Sequence, residues 1–372
     1  MRYTATTTDS FEAYADLANE ALNRGFASPF QSAYWIRNWI DLVLDREIER
    51  PFFVRVDDQE GHPVMLMPMV SRRAYGLSML KGMDGGLSDY IAPVLLRDDV
   101  DEAEGAAIRT AFYAGLPRAD ILHLQKMPPR IGERGIVNPL AGDPDSTPME
   151  YSSHAIVLDG AWDTFLAAKV STSSRATRRR KAKKLSQKGE VSFAVVEEPQ
   201  ARRSALAFTI EERSKRAKTR NWDINVLENG DAVRFCEQLV SDPLLVARVH
   251  VAVLSVSGEP IAVHLGLVEG GCLFWYMPTF RGEQWAAFSP GQMLLDQELM
   301  WAFDNGLKAV DLTIGDERYK QEWSPATSPL FELRKSLSVV GTAALGLRES
   351  ARRIRQIVKK NRPHPAEEAS AD

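Results

Sequence analysis

The sequence has few cysteines and no long apolar run, and each absence excludes a class of protein. The two cysteines, Cys236 and Cys272, do not make the disulfide framework of a small secreted domain. No uninterrupted apolar run is long enough to span a bilayer, and the first residues, MRYTATTTDSFEAY, lack the basic-then-apolar pattern of a signal peptide. We therefore expect a cytoplasmic protein.

The sequence also lacks an excess of positive charge and any visible grouping of histidines. A formal net charge of -4 argues against a dedicated nucleic-acid binder, because such proteins are normally basic overall. None of the six histidines pairs with another at metal-ligand spacing, which predicts that no metal is bound. These histidines are His62, His123, His154, His250, His264 and His364.

What the chain does contain indicates two similar α/β lobes. Its 372 residues suggest two domains of ordinary size, and 44% hydrophobic residues are enough for a buried core. In each half, helical patterns precede a strand, a glycine-containing turn and a second strand: FFVRVDDQEGHPVMLMPM in the first, HVAVLSVSGEPIAVHLGL in the second. This similarity predicts a weak internal duplication.

Composition suggests where the lobes end. Residues 128–148 are rich in Pro, Gly and Asp and are interpreted as a linker or a long loop. We predict lobes at 1–150 and 151–340, then a segment at 341–372 that contains a basic helix, 348–360, and a disordered tail.

The stretch FSPGQMLLDQELMWAFDNG predicts a helix with an open N-terminus directly after a strand, CLFWYMPTF. Ser289 is a good N-cap, Pro290 suits the first helical position, and Gly306 can end the helix. Such an N-terminus exposes backbone N–H groups and the positive end of the helix dipole, which suits a phosphate. The alternative is a well-capped helix packed on a sheet with no ligand.

Two of these segments together resemble a known family. SPGQMLL followed by GLKAVDLTIGDERYKQEW resembles the CelD/BcsL family of acetyltransferases, a branch of the GNAT superfamily that is similar to the Fem-type peptidyl transferases. The resemblance covers residues 151–333 and extends more loosely to the first half through GLSDYIAPVL. It implies an α/β fold of two tandem GNAT-like lobes, with mixed central sheets flanked by helices.

The resemblance also implies a cofactor site. The strands CLFWYMPTF and KAVDLTIG would be adjacent, parallel and splayed, and the pantetheine arm of acetyl-CoA, the co-substrate, would insert between them. The helix that joins them would receive the pyrophosphate on its first N–H groups, with Gly291 allowing close approach and Arg281 supplying charge. The implied cofactor residues are Tyr276, Arg281, Ser289, Pro290, Gly291, Gln292 and Met293.

Acyl transfer from a thioester needs a proton acceptor, a stabilised oxyanion and a proton donor for the thiolate. Asp316 follows the strand KAVDLTIG and is either a base or the cap of the next turn. Tyr319 either protonates the leaving thiolate, as a tyrosine does in many GNAT enzymes, or is a buried structural residue. If 316–320 form one helical turn, both side chains lie on the same face.

Three further residues are candidates. His264 lies within the strand IAVHLGLV and is either a base facing the cleft or a structural histidine. Lys320 either holds a phosphate or carboxylate or is solvated. Asp311 lies mid-strand among apolar neighbours, so it requires a hydrogen-bonding partner.

The run RATRRRKAKK at 175–184 concentrates positive charge in an otherwise acidic chain. It is either a solvated helix face or a patch for an anionic acceptor, for the CoA 3′-phosphate, or for tRNA as in Fem-type enzymes.

We therefore expect an acyl-CoA-dependent N- or O-acetyltransferase that acts on a saccharide or amino-sugar in exopolysaccharide or cell-envelope biosynthesis. Its partners would be acyl-CoA and a small-molecule or glycan acceptor. Two alternatives stay open: a Fem-like transferase that uses aminoacyl-tRNA, the one case in which we expect nucleic acid, and a non-catalytic GNAT-like binding module.

Overall fold

The computed structural model describes residues 2–132, 134–220, 226–324 and 326–360. The described part of the first half forms eight strands and three α-helices. They are β1 (Thr4–Thr8), α1 (Phe11–Asn23), α2 (Ala33–Leu42), β2 (Glu49–Asp57), β3 (Pro63–Ala74), β4 (Leu77–Gly82), β5 (Val94–Leu95), α3 (Glu102–Gly115), β6 (Ile121–Met127), β7 (Arg130–Ile131) and β8 (Ile136–Val137).

Within the described residues, the second half forms seven strands and seven α-helices. They are β9 (Ser146–Val157), α4 (Trp162–Lys169), α5 (Thr172–Ser186), β10 (Val191–Val195), α6 (Pro199–Arg220), α7 (Gly230–Ser241), β11 (Val249–Val256), β12 (Glu259–Glu269), β13 (Cys272–Phe280), α8 (Pro290–Asp304), β14 (Ala309–Ile314), α9 (Arg318–Trp323), β15 (Ser328–Ser336) and α10 (Val339–Lys360).

One mixed sheet of 13 strands passes through both halves. Its order is β1-β2-β3-β4-β6-β15-β9-β14-β13-β12-β11-β10, with β5 paired to β3. The two edges of the sheet are built alike. At each edge four antiparallel strands, β1–β4 or β10–β13, are followed by a strand that is parallel to the fourth, β6 or β14, and that the chain reaches through a helix. The helix is α3 in the first half and α8 in the second. This repetition agrees with the predicted internal duplication.

The two halves exchange their last strands. After β6 the chain crosses to the second half, where β9 pairs with β14; after β14 it crosses back, where β15 pairs with β6. β9 and β15 then pair with each other, antiparallel, at the centre of the sheet. The N-terminal lobe is defined here as α1–α3 with β1–β6 and β15, and the C-terminal lobe as α4–α9 with β9–β14.

Most long predicted elements are confirmed. The strand, turn and strand expected in each half are present as β2–β3 and β11–β12, and CLFWYMPTF and KAVDLTIG form β13 and β14. The segment 128–148 is not a bare linker, because it contains the hairpin β7–β8 and the first residues of β9. The predicted boundary after residue 150 falls inside β9.

Two hydrophobic cores lie on opposite faces of the C-terminal half of the sheet. Leu273, Trp275 and Leu312 pack against α8, whereas Phe274 and Tyr276 pack against the core of the N-terminal lobe. This separation follows from strand geometry, since successive side chains point to opposite faces. The C-terminal lobe therefore carries α8 on one face of β13 and β14, and the N-terminal lobe covers the other face.

The helix predicted at 348–360 is the second half of α10, which starts earlier than expected. The tail predicted to be disordered, 363–372, lies outside the described residues. Among the residues that are described, no helix is both long and apolar enough to cross a membrane.

Candidate active site

The strands β13 and β14 are parallel neighbours for only three residue pairs. Cys272, Leu273 and Phe274 pair with Ala309, Val310 and Asp311, and the ladder then stops. Beyond that point β14 is irregular: Thr313 has a φ of 58°, and the register with β9 shifts between Asp311 and Ile314. The edge of β13 from Trp275 onward is therefore not paired with β14. The predicted pair of strands that separate towards their carboxyl ends is confirmed.

The helix α8 starts where the sequence predicts, but its cap differs. Ser289 occupies the N-cap position with a left-handed φ of 56°, and its side chain makes no capping hydrogen bond. Its hydroxyl instead accepts a 2.7 Å hydrogen bond from Lys181 Nζ on α5. The N–H groups of Gln292 and Met293 donate to the Ser289 carbonyl at 3.0 and 3.1 Å. The expectation that the hydroxyl of Ser289 caps the helix is thus wrong.

Gly291 has a packing reason to be a glycine. A Cβ at this position would lie 2.7 Å from Cδ1 of the Phe280 ring, closer than real Cβ contacts allow. Its neighbour Pro290 is buried at the first helical position. Glycine at 291 therefore lets α8 start directly against the end of β13, whether or not a ligand binds there.

A cavity of about 630 Å³ lies between α5 and α8; we call it the α8 cavity. It begins at the N-terminus of α8 and follows its first three turns beneath α5. Its apolar walls include Leu166, Leu185 and Phe288. Its polar lining combines α5 and α8 side chains: Arg175, Arg178, Arg179, Lys181, Ser289, Gln292 and Asp296. Part of the basic run thus faces the N-terminus of α8.

The cations of this region differ in what they contact. Arg178 forms ion pairs with Asp296 and Glu322 and lies over the Trp323 ring, so it holds α5, α8 and α9 together. Burial raises the pKa of Asp296 to about 6, and Arg178 opposes that rise. Arg175 Nε is buried without a partner among the described residues.

Arg281 does not reach the α8 cavity. Its guanidinium pairs with Glu259 and lies 3.6 Å from Glu212, on the far side of β13 from α5. The expectation that Arg281 supplies charge at the start of α8 is therefore not supported by its position. Lys181 occupies that place instead, since its Nζ donates to the Ser289 hydroxyl.

A second cavity, of about 310 Å³, lies between the two lobes; we call it the inter-lobe cavity. It opens on the face of β13 and β14 that is opposite to α8, because Phe274 and Asp311 line it while Leu273 and Val310 face α8. The N-terminal lobe supplies the facing wall. Lining residues include Ala27, Tyr90, Arg130, Phe274, Lys308 and Asp311.

Asp311 has the partner that its mid-strand position requires. The Tyr90 hydroxyl donates to Asp311 Oδ1 at 2.8 Å, and the Thr313 N–H donates to the same oxygen at 2.7 Å. Burial raises the pKa of Asp311 to about 6, although both hydrogen bonds and the positive charge of Lys320 oppose the rise. This carboxylate is thus available as a proton acceptor near neutral pH.

A second acidic residue, Asp89, comes from the same N-terminal loop as Tyr90. Burial raises the pKa of Asp89 to about 6, and the negative charge of Asp311 adds to the rise. Lys126 and Lys320 oppose it. Two carboxylates with raised pKa values therefore meet beside the point where β13 and β14 separate, one from each lobe.

Lys320 is buried and does not extend into solvent. Its ammonium donates to the Ile314 carbonyl at 2.6 Å and lies 2.9 Å from Glu317. Its positive charge acts on Asp89 and Asp311. Lys320 therefore belongs to the charge balance of this centre, and the alternative of a simply solvated lysine is excluded.

Asp316 and Tyr319 do not lie together. Asp316 Oδ1 is 3.2 Å from His154 Nε2, and its other oxygen accepts from the Ser152 N–H, both on β9. The Tyr319 hydroxyl accepts a 3.2 Å hydrogen bond from Trp275 Nε1 on β13. Because α9 begins after Asp316, the two side chains leave on opposite sides of β14. The prediction of a shared helical face is wrong.

Tyr319 keeps the features of a proton donor. Burial raises the pKa of Tyr319 above its usual value, and the Glu317 charge adds to this. Its oxygen accepts from Trp275, so its own O–H remains to be donated elsewhere. Tyr276, by contrast, donates its hydroxyl to the Leu87 carbonyl at 2.6 Å and joins the two lobes.

His264 belongs to a buried polar cluster beneath α8. Its Nδ1 lies 2.7 Å from Glu298 Oε1, and His250 Nε2 lies 2.8 Å from Glu298 Oε2. Burial lowers the pKa of His264. Burial would raise the pKa of Glu298, but the two histidines outweigh it and lower that pKa to about 2. Both histidines thus contact the same buried carboxylate, one on each of its oxygens.

The statement that no histidines group together is therefore wrong. His250, His264 and Glu298 form the group of potential metal-ligating residues found within the described part of the chain. The signal lies in the hairpin of β11 and β12. His250 pairs with Gly266 and Ala252 pairs with His264, so the two histidines are diagonal neighbours on the same face of the sheet.

Sequence reasoning also missed Asp89 and Tyr90. Both stand in GLSDYIAPVL, which was used only as a looser part of the family resemblance. The available signal was their place in a loop, since binding and catalytic residues lie on loops more often than elsewhere. What the sequence could not show was that this loop packs on β14.

Comparison with known proteins agrees with this architecture. Residues 172–321 match the family model of an acetyltransferase (GNAT) domain. Of the solved structures, FemX superposes with a TM-score of 0.55 at 8% identity, covering 89% of this chain and 97% of FemX. A conserved protein of unknown function from Bacteroides thetaiotaomicron gives a TM-score of 0.54 at 12% identity, with 89% and 99% covered.

A third structure, from Agrobacterium fabrum, is described as the C-terminal domain of a lysylphosphatidylglycerol synthetase. It gives a TM-score of 0.50 at 13% identity, with 92% of this chain and 96% of that chain covered. A search of curated protein sequences finds no match. These similarities show the fold, a mixed sheet flanked by helices in two tandem lobes, of which residues 172–321 are similar to a GNAT domain.

Proposed function

We propose that this protein is an acyl-CoA-dependent acetyltransferase whose acceptor is a saccharide or amino-sugar, in exopolysaccharide or cell-envelope biosynthesis. One observation carries the proposal. The strands β13 and β14 stop pairing after Phe274 and Asp311, the α8 cavity with its basic groups begins at the N-terminus of the helix that joins them, and the Asp311 carboxylate lines a separate cavity on the opposite face of the sheet. A thioester and an acceptor that enter from opposite faces would meet in the gap between the two strands.

The donor would bind on the α8 side. Its phosphates would lie at the start of α8, near Ser289 and Lys181, where the helix dipole adds favourable potential. The pantetheine arm would run along the unpaired edge of β13. Thioester donors supply an activated acyl group, so the protein needs only to orient it and manage two protons.

The chemical step then uses one residue on each side of the gap. An acceptor amine or hydroxyl gives its proton to the Asp311 carboxylate as its nitrogen or oxygen bonds to the thioester carbonyl carbon. The carbon–sulfur bond breaks as the tetrahedral intermediate collapses, and the Tyr319 hydroxyl protonates the departing thiolate. Tyr319 is then reprotonated from solvent. We prefer Asp311 to Asp316 or His264 as the base because it lines the inter-lobe cavity.

Calorimetry with acetyl-CoA and the full-length protein tests the donor. A matched pair of variants sharpens the test: Lys181→Gln changes a cavity-lining cation, and Lys183→Gln makes the same change on the same helix outside the cavity. We expect only the first to weaken binding, by about tenfold. Equal effects, or no binding of acetyl-CoA by the unchanged protein, would refute the acyl-CoA proposal.

The basic helix α5 favours one alternative, a transferase that uses aminoacyl-tRNA. Arg179, Lys183 and Lys184 are exposed on it, which suits a long polyanion such as an aminoacyl-tRNA. Under that alternative, tRNA would bind with a steep dependence on salt and acetyl-CoA would not bind. A non-catalytic module would bind a ligand and release no thiol.

A further inference from the structure

Trp275 lies where β13 leaves its parallel partner, on the face of the sheet that carries α8. It is the first residue of β13 beyond the pairing with β14, and it is only 2% exposed within the core that α8 covers. Its backbone is held as well, since its carbonyl accepts a 3.4 Å hydrogen bond from the Thr313 hydroxyl on β14. Trp275 therefore has a fixed position beside the gap, on the side proposed for the donor.

The buried cluster beneath α8 supports the indole of Trp275. The indole packs against the imidazole of His264, with 4.2 Å between the ring centroids. His264 is held in turn by Glu298 on α8, whose Oε1 lies 2.7 Å from its Nδ1. Glycine at 266, on the same strand, leaves room for this imidazole, because a Cβ there would lie 2.4 Å from His264 Cε1. The position of the tryptophan ring is thus determined by β12 and α8.

The polar edge of the indole contacts Tyr319. Trp275 Nε1–H donates a 3.2 Å hydrogen bond to the Tyr319 hydroxyl, and that hydroxyl donates to no acceptor within the described residues. Because an indole can only donate, the phenol must direct its own proton away from Trp275. Burial raises the pKa of Tyr319, and the hydrogen bond from Trp275 opposes that rise, since a donor to the phenol oxygen stabilises the phenolate. Trp275 therefore makes Tyr319 a stronger acid than burial alone would allow.

We propose that Trp275 is the residue that positions Tyr319 for proton transfer to the departing thiolate. The indole N–H occupies one side of the phenol oxygen, so the phenol proton is left for the thiolate sulfur, and the phenolate then takes a proton from solvent. Trp275 itself touches no reacting atom. This inference rests on the proposed function for the role of Tyr319.

A double-mutant cycle in the full-length protein tests this, with acetyl-CoA and glucosamine as probes and thiol release as the measurement. Trp275→Phe keeps an aromatic ring and removes the N–H. We expect turnover to fall about tenfold, the worth of one hydrogen bond, with little change in the KM for acetyl-CoA. In the Tyr319→Phe background the same change should cause no further loss, because the hydroxyl through which Trp275 acts is absent.

Trp285→Phe is the matched control. Trp285 is a buried tryptophan of the same core, and its Nε1 has no hydrogen-bond partner in the part of the chain that the structure describes. The substitution therefore removes an N–H that donates to no side chain of the site, and we expect turnover to keep its original value.

The outcomes separate this inference from the proposed function. If the losses caused by Trp275→Phe and Tyr319→Phe add, or if Trp275→Phe behaves like Trp285→Phe, then Trp275 only fills the core, and the inference fails while acetyl transfer stands. If the unchanged protein releases no thiol from acetyl-CoA, the proposed function fails, and the role of Trp275 fails with it.

Discussion

The Tyr90 hydroxyl donates a 2.8 Å hydrogen bond to the Asp311 carboxylate, and the two residues are 221 positions apart in the chain. Tyr90 belongs to a loop of the N-terminal lobe and Asp311 to the middle of β14. The N-terminal lobe therefore reaches the centre of the proposed active site directly, and the acceptor side of that site is made by both lobes.

Replacing Tyr90 by Phe should change the pH dependence of catalysis. The hydrogen bond from Tyr90 holds the pKa of Asp311 down, so its loss should raise that pKa above about 6. If Asp311 is the base, the acidic limb of the pH–rate profile should move to higher pH by up to about one unit. Activity would fall more at pH 6 than at pH 8. Tyr113→Phe, which removes a Tyr–Asp hydrogen bond to Asp143 in the N-terminal lobe, should leave the profile in place.

Tyr319→Phe should lower turnover by roughly 10²- to 10⁴-fold, the usual worth of a general acid, with little change in CoA affinity. The variant also leaves the Trp275 Nε1–H without its acceptor, so some stability should be lost. Turnover should therefore be measured well below the melting temperature of the variant. Near-normal turnover would show that this tyrosine has a structural role only.

Gly291→Val is a poor test of phosphate binding, because the new side chain would collide with Phe280. We expect it to unfold at a lower temperature than the unchanged protein even without a ligand. The double variant Gly291→Ala with Phe280→Leu should recover much of that loss by making room. If Gly291→Val alone were as stable as the unchanged protein, the close contact with Phe280 would not limit this position.

Glu298→Gln should lower the free energy of unfolding by about 3–5 kcal/mol, because it removes the buried carboxylate that both histidines contact. Urea denaturation at pH 7 measures this. Asp304→Asn, an exposed acidic residue at the end of the same helix, should change stability by no more than about 0.5 kcal/mol.

The cluster of His250, His264 and Glu298 also determines how stability changes with pH. The pKa values of His264 and Glu298 are both lowered in the folded protein, so the unfolded chain binds more protons as pH falls. Stability should therefore decrease below about pH 6.5, where unfolded histidine protonates, and again between about pH 4.5 and 2 for Glu298. Glu298→Gln should flatten the second decrease. A melting temperature independent of pH over this range would contradict the assignment.

Chelation should leave the stability of the protein unchanged. His250 and His264 each contact a separate oxygen of Glu298 at hydrogen-bond distance, so the Glu298 carboxylate has a partner on each oxygen without an ion, while His264 Nε2 is buried with no hydrogen-bond partner among the described residues. Dialysis against EDTA, followed by addition of Zn²⁺, tests this by thermal denaturation. A rise in melting temperature with Zn²⁺ that is lost in His250→Gln would contradict the prediction that no metal is bound.

The sequence predicted the elements that depend on neighbouring residues alone, which are strands and helix ends. The alternation in CLFWYMPTF predicts β13, and the Ser-Pro-Gly start with a terminal glycine predicts α8. The mid-strand position of Asp311 predicted a partner. Its identity could not be predicted, because Tyr90 arrives through tertiary packing of a distant loop. The same limit applies to His250 and Glu298, which meet only when α8 packs on the β11–β12 hairpin.

Two errors have a common physical origin. The Ser289 hydroxyl was assigned to the cap of its own helix, but Lys181 from α5 donates to it instead. Asp316 was assigned to the same turn as Tyr319, but contacts with β9 direct it to the other side of β14. In both cases a hydrogen bond to a neighbouring element, α5 or β9, fixes the side chain in a position that the local sequence does not predict.

The exchange of β9 and β15 between the halves has a mechanical consequence. Because each half is completed by a strand of the other, and these strands pair at the middle of one continuous sheet, separating the halves would require breaking the ladder between β9 and β15. Opening one half away from the other would therefore cost backbone hydrogen bonds, in contrast to a clamshell-type enzyme whose halves are joined only by a flexible connection.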